Sequence, residues 1–269
     1  MGTEQYREYK HCLVWNGDPS VEEELSNKDA KRLIRLYRSL MLRNIYDWDC
    51  KEVTNYWFII KDSYNENDYP KKTRKYIQKA NERFIYKLIP RSLLSEQGYD
   101  IYEKAYSNYK IKDGFHLSKE VFLNNINNYS DDVDIWGAID KESGRLEAYS
   151  ICKKGYSYCE FQTSKANPEF LPKFYIMYGL YDARNRYYLE EKSYQYVVSS
   201  ARSLSEHSNV QNFMIEKMLF RKAYCKIRIF YSPMFKILIS TLYPFRKIIP
   251  YAPLRNVLKF EMLNKNIDF

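Results

Sequence analysis

Glycine is scarce in this chain, with 8 in 269 residues, and the scarcity excludes several chemistries at once. No Gly-rich turn of the P-loop or dinucleotide-binding kind is present, so those phosphate cradles fall away. Cys12, Cys50, Cys152, Cys159 and Cys225 are odd in number, widely spaced and lack a C-x-x-C pair, which predicts reduced thiols and no metal site. No Ser-His-Asp order competes. The start, MGTEQYREYKHC, has no apolar core of a secretion signal and no Ser or Thr at the sixth position for myristoylation. No apolar run reaches the ~18 residues of a membrane span. A cytoplasmic protein is the expectation. Linkers rich in Gly, Pro or Ser and repeats of solenoid period are absent too.

Aromatic residues are abundant: 28 Tyr and 14 Phe, a bias that an A+T-rich genome also explains. Lys and Arg number 43 against 34 Asp and Glu, giving +9 and favouring an anionic partner, whether nucleic acid, lipid headgroup or nucleotide-linked donor. Basic charge concentrates in KKTRKYIQKANER, Lys71 to Arg83. On a helix Thr73, Ile77 and Ala80 face inward, while Lys72, Lys75, Lys79 and Arg83 form a positive ridge or simply a solvated face.

Ser26, with Asp29 three residues on, caps a helix expected over about Lys28 to Leu42, with Leu33, Ile34, Tyr37, Leu40 and Met41 in its buried stripe. Tyr56 to Lys61 reads as a strand, and Leu93 to Tyr106 and Lys119 to Asn128 read as helices. From Val133 the period changes: VDIWGAID, RLEAYSICK and GYSYCEFQT form a three-strand meander whose first turn is a Gly144 hairpin. A helix over about Phe174 to Glu191 follows, then a strand at Tyr196 to Val198 and a polar elbow holding Arg202, Ser203, His207 and Asn209. After a helix through Val210, Met214 and Met218, a strand alternates Cys225, Ile227, Ile229 and Tyr231. The fold expected is α/β (α+β): a mixed, mostly antiparallel sheet of about six or seven strands, flanked by helices on both faces.

This element order is that of the GNAT acyltransferase fold. The blocks YDWDCKEVTNYWFIIKD (Tyr46 to Asp62), KKTRKYIQKA (Lys71 to Ala80), IWGAIDKESGRLEAYS (Ile135 to Ser150), SARSLSEHSNVQNFMI (Ser200 to Ile215) and FRKAYCKIRIFY (Phe220 to Tyr231) carry a closer resemblance. Together they resemble the single-domain GNAT-like proteins related to Fem-type peptidyltransferases, of the Bacteroidetes type. The resemblance runs over about Ile45 to Pro250. It implies an acyl-CoA N-acyltransferase-like fold and transfer of an acyl or aminoacyl group to an amine in cell-envelope or surface-polysaccharide work. This chain departs from the family's pattern at Ser199-Ser200, in place of Asp-Gly, and at Leu219, in place of Gly. The acetyl-CoA signature of ordinary GNAT enzymes is missing as well, with no Gly between Thr163 and Tyr175. Two donors stay open: acyl-CoA, or a charged transfer RNA whose phosphates suit the ridge at Lys72, Lys75 and Lys79.

Aminolysis needs a base for the amine's proton and donors for the developing oxyanion. Glu160, in the third meander strand, is the candidate base, the alternative being a surface Glu or an ion pair with Arg202. His207 is a second candidate, or a cap. Arg202, Ser203 and Asn209 can bind an anionic donor or substrate, or the last can cap the next helix. Cys159 and Cys225 lie in apolar strands and read as inert.

The tail YSPMFKILISTLYPFRKIIPYAPLRNVLKF, Tyr231 to Phe260, is apolar with basic flanks only, and suits either a bilayer interface or the core. The division expected is one GNAT-like domain over 1–230, made of a helical and strand part to 130 and a meander and core over 131–231, plus a C-terminal extension at 232–269. Three functions remain: a transferase acting on an envelope precursor at the inner face of the membrane, a noncatalytic binding or membrane-associated adaptor, and, behind both, a nucleic-acid binder. No DNA partner is expected.

Overall fold

The computed structural model describes residues 6–9, 11–21, 24–108, 116–204, 209–265 and 267. Strands β1 (Tyr6–Tyr9) and β2 (Cys12–Trp15) are followed by α1 (Asn27–Leu36), β3 (Met41–Tyr46), β4 (Tyr56–Lys61), α2 (Lys71–Arg83) and β5 (Phe84–Leu88). Helices α3 (Arg91–Ser107) and α4 (Lys119–Asn127) precede the meander β6 (Val133–Asp140), β7 (Leu146–Lys154) and β8 (Tyr158–Ala166). A short α5 (Leu171–Phe174) leads into α6 (Ile176–Arg186), then β9 (Tyr196–Ala201), α7 (Asn209–Met218), β10 (Arg221–Tyr231), α8 (Pro233–Leu242) and α9 (Ala252–Asn264). These form two compact units, one of residues 1–59, 201–208 and 222–269, the other of residues 60–200 and 209–221.

In the first unit the strands run in the order β1-β2-β3-β10-β4. The β1/β2 and β3/β10 pairs are antiparallel and β2/β3 is parallel. Leu13, Leu42 and Phe230 meet Ala30, Leu33 and Ile34 of α1, while Cys225, Ile227 and Ile229 pack with Leu263 of α9 and Phe235 of α8. The alternation read from β10 is therefore the real one, its buried positions being every second residue from Ala223 to Ile229.

The second unit has the order β9-β8-β7-β6-β5, antiparallel apart from the parallel β8/β9 pair. Tyr149 and Ile151 of β7 face α3 and α4 in a core with Leu94, Ile101, Tyr102 and Phe122. Ser150 and Cys152 point the other way, to α6. That helix sits close on the sheet because Gly179 has no Cβ; one added there would come within 2.4 Å of the Tyr86 ring. Tyr86 Oη in turn donates to Ile176 O at 3.1 Å. The meander, its Gly144 hairpin at φ 69° and the inward Thr73, Ile77 and Ala80 all match the sequence reading, and α4 is capped by Ser118, whose side chain accepts from Val121 N.

Two expectations are corrected. The strands number ten among the described residues rather than six or seven, because β1, β2, β3 and β5 are short and only β2, followed by Asn16-Gly17, has a Gly signal at its turn. The helix expected to reach Leu42 ends at Leu36, and Met41 belongs to β3. Its stop is a Schellman turn: Ser39 N–H donates to Ile34 O at 3.0 Å and Arg38 N–H to Arg35 O at 3.2 Å. Arg38, not a glycine, takes the left-handed position at φ 52°. Scarce glycine recurs as a cause here. Among the described residues seven non-Gly positions, including His11, Tyr175 and Leu219, have positive φ, against one Gly.

Leu219, where the resembled family carries Gly, stands at φ 56° directly after α7. A side chain in the left-handed region costs roughly 1–2 kcal/mol, while a Gly loses about 0.5–1 kcal/mol more chain entropy. Leu219→Gly is therefore expected to be neutral to stabilising by up to about 1 kcal/mol in urea unfolding, and Leu219→Val, β-branched, to be clearly destabilising. A Gly variant less stable than the Val variant contradicts the strain argument.

Candidate functional site

The site begins with a ladder that stops early. Parallel strands β8 and β9 pair at Tyr158/Tyr196, Cys159/Val197 and Glu160/Val198. Immediately beyond, β8 takes a bulge: Cys152 of β7 opposes Phe161, but Ile151 opposes Thr163, leaving Gln162 as the extra residue. A bulge bends its strand and ends regular pairing. β8 thus stays with β7 to Ala166 while β9 continues through Ser199 and Ser200 with no ladder partner on β8. The result is a fork that opens toward the carboxyl ends of two parallel strands, where helix-flanked parallel strands bind ligands.

Two helices frame this fork. Helix α6 begins at the end where the fork opens, since it follows the turn after β8, and α7 contributes Gln211, whose amide donates to Ser200 Oγ at 3.0 Å. Between the helices Phe213 presents its edge to Tyr178, with ring centroids 4.8 Å apart. The start of α6 has no side-chain cap; Tyr175 precedes it in the left-handed region at φ 55°. Helix starts left this way carry N–H groups and a partial positive charge.

Beside that start lies a basic aromatic platform. Tyr76 of α2 stacks on Tyr175 with centroids 3.7 Å apart and planes at 12°. Lys72 lies over Tyr76 at 5.6 Å and Lys79 over Tyr175 at 5.7 Å. The hydrogen bond from Tyr175, with lesser help from Lys72, holds the Tyr76 phenol below its ordinary range. Lys72, Lys75 and Lys79 are all exposed. On the α3 side an open depression of about 450 Å³ lies between Glu103, Lys104 and Ser107 and the turn Asn167 to Glu169 after β8.

The structure places the expected residues unevenly. Glu160 stands in the last pair before the fork, half-buried, with Gln162 Nε2 donating to its Oε2 at 3.0 Å. Phe161 and Cys159 face α6, so alternation puts Glu160 on the α3 face. Arg202 and Ser203 fall in the first unit, where Arg202 Nη1 donates to Asn55 O at 2.6 Å and its N–H to Trp57 O at 2.7 Å. His207 lies outside the described residues. Asn209 is the first residue of α7. Among the described residues no group of three His, Cys, Asp or Glu could hold a metal.

No protein-family profile matches the sequence, and no curated protein does. Solved structures do. L-PGS from Bacillus licheniformis is similar over 96% of this chain and 85% of its own, with TM-score 0.53 and 13% identity. FemX is similar over 76% of this chain and 68% of its own, with TM-score 0.51 and 11% identity. The C-terminal domain of a putative lysylphosphatidylglycerol synthetase from Agrobacterium fabrum covers 88% and 83%, with TM-score 0.51 and 8% identity. The fold is like that of FemX and of these synthetase structures. At these identities the likeness is one of fold.

The second unit also holds two buried polar clusters that the sequence reading missed. Arg184 of α6 is 0% exposed and has no carboxylate among its contacts within the described residues. Its Nη1 donates to Ser150 Oγ and, at 3.2 Å, to Ser164 Oγ, and its Nε to Leu180 O at 3.2 Å. Its Cζ lies 4.1 Å from the centroid of the Phe161 ring and 4.4 Å from that of Tyr181. Burial pushes the adjacent Cys152 thiol up, but a hydrogen bond from Cys159 and the charge of Arg184 outweigh it and bring the thiol down to about 7. The second cluster joins Asp182, which accepts from Tyr64 Oη at 3.0 Å, with Asn185, Tyr69 and Lys61. No periodicity marks these residues, because Asp182, Arg184 and Asn185 sit in a helix that is buried nearly all round.

Burial raises Asp182 from 3.8 to about 6, against the opposing hydrogen bond from Tyr64. A folded-state value above the unfolded one means stability is full below about pH 4 and is lost as pH rises through about 6. Asp182→Asn, which keeps the shape without the charge, is expected to match wild type near pH 4. At pH 7 it should be more stable by up to about 3 kcal/mol, since one unit corresponds to 1.36 kcal/mol. Urea unfolding at pH 4, 5.5 and 7 measures this; a constant difference across the series refutes it.

Proposed function

We propose that this chain is a GNAT-fold N-acyltransferase or aminoacyltransferase that acts on an amine of a cell-envelope or surface-polysaccharide precursor, at the inner face of the membrane. The observation that carries the reading is the bulged fork of β8 and β9 with Glu160 at its base. The acyl carbonyl lies in the fork, and the acceptor amine approaches from the α3 face. Glu160 takes the amine's proton as nitrogen attacks the carbonyl carbon. Backbone N–H groups along the unpaired edge of β8 suit the oxyanion of the tetrahedral intermediate, which collapses by expelling the donor's thiolate or ribose oxygen. His207, in the elbow after β9, is the second proposed base, and Arg202, Ser203 and Asn209 are proposed binding residues.

For the donor, the exposed Lys72, Lys75 and Lys79 with the Tyr76 and Tyr175 rings favour a charged transfer RNA. Cations spaced along a helix neutralise successive phosphates, and stacked rings accept bases. The uncapped start of α6 supports acyl-CoA as the second reading, because such a start favours a pyrophosphate.

Glu160→Gln is expected to lower transfer by roughly 100- to 10,000-fold while leaving the melting temperature unchanged, since it removes a proton acceptor and keeps volume. His207→Gln should cost less. Mass spectrometry of small molecules or RNA retained by the purified protein supplies the donor for the assay, and wild-type turnover in Glu160→Gln removes Glu160 from the mechanism. Replacing Lys72, Lys75 and Lys79 together by Glu is expected to weaken transfer RNA binding and flatten its salt dependence, with little effect on stability. Equal affinity at low salt assigns the ridge to solvent.

A further inference from the structure

Helix α8 of the first unit carries apolar side chains on its covered side and again on its exposed side, beside the polar Lys236, Ser240 and Thr241. Phe235 packs into the core with Ile229 and Leu263, and Ile239 is buried. On the other side Met234, Ile237 and Leu238 are 84%, 68% and 46% exposed. The i, i+3, i+4 spacing puts these three on one stripe. The turn and helix start that follow add Phe245, Ile248 and Tyr251, exposed by 54%, 76% and 66%. A surface helix ordinarily shows water its polar face, so a second apolar stripe points to a second apolar environment.

Charge identifies that environment. Between Tyr231 and Glu261 there is no Asp or Glu, while Lys236, Arg246, Lys247, Arg255 and Lys259 are all basic. Lys236, Lys247 and Arg255 are exposed among the apolar side chains. With 10 residues α8 is about 15 Å long at ~1.5 Å per residue, half of a hydrocarbon core of roughly 30 Å. No helix among the described residues is long and apolar enough to cross a membrane. A second copy of the same patch would set like charges against each other.

We propose that the outer stripe of α8, with Phe245, Ile248 and Tyr251, docks flat on an anionic lipid bilayer, the apolar side chains entering the headgroup boundary and the cations meeting lipid phosphates. The proposal rests on the membrane association proposed above and gives it a surface and a lipid charge; it needs no acyl transfer.

Full-length protein is cosedimented at low and physiological salt with vesicles of phosphatidylcholine alone or with about 30% phosphatidylglycerol, with no donor or acceptor present. The expected result is at least tenfold stronger partitioning onto the anionic vesicles, weakened by salt. Ile237→Glu with Ile248→Glu should lose at least tenfold of it, and Lys236→Gln with Lys247→Gln should lose mainly the preference for phosphatidylglycerol. Because the altered residues are exposed, melting temperatures should hold; if the Glu pair lowers them, Ile237→Ser with Ile248→Ser replaces it. Three results overturn the proposal: no preference for anionic vesicles at low salt, partitioning that survives the Glu pair, or lipid-free self-association that the same pair abolishes. Failure here leaves the transfer assay on Glu160→Gln intact, and failure of that assay leaves the vesicle result standing.

Discussion

A guanidinium with no carboxylate among its contacts within the described residues ties the central helix of the second unit to two of its strands. Arg184 reaches from α6 to Ser150 on β7 and Ser164 on β8, a cross-strand pair just beyond the bulge, and lies on the ring of Phe161, the paired residue just before it. An unpaired buried charge is expensive, so each hydrogen bond and ring face around it matters. The consequence is mechanical. β8 is tied to β7 through its whole length, and its bulge releases β9 after Glu160. The fork and the position of Glu160 at its base both descend from that arrangement.

Tension between burial and charge recurs on the same helix. Asp182 is 5% exposed and Asn185 is 0% exposed, both on the same helix as Arg184. Asp182 and Arg184 stand two residues apart on the helix, so their side chains point to opposite sides and cannot pair: Asp182 meets Tyr64, while Arg184 meets serines, a thiol and rings. Tyr64 and Tyr69, with Lys61 over the Tyr69 ring, bring the polar residues after β4 to α6. Abundant tyrosine thus has a structural use here, giving buried polar groups partners that also fill space.

Left-handed residues tell a related story about composition. With few glycines available, the chain closes its helices and turns with Arg38, Leu219, Tyr175 and His11 at positive φ. Each carries a side chain where glycine would carry none, and Tyr175 uses its ring to stack on Tyr76 at the start of α6. Strain at that point and the basic aromatic platform share a residue, and that residue also precedes a helix start without a cap.

The sequence by itself determined the meander, the strand, helix and strand that follow it, and the inward and outward faces of α2 and β10. These rest on local periodicity and on turn chemistry such as Gly144, which neighbours in the chain settle. It also placed Glu160 in the third meander strand. Tertiary structure alone decided the end of α1 at Leu36 and the strands β1, β3 and β5, because short strands and non-glycine turns leave no local mark. It alone decided the bulge at Gln162, which depends on how two strands count residues against each other. The buried Arg184 and Asp182 could not be read either. Nothing in a sequence distinguishes a charged residue facing water from one facing a sheet until the sheet is there.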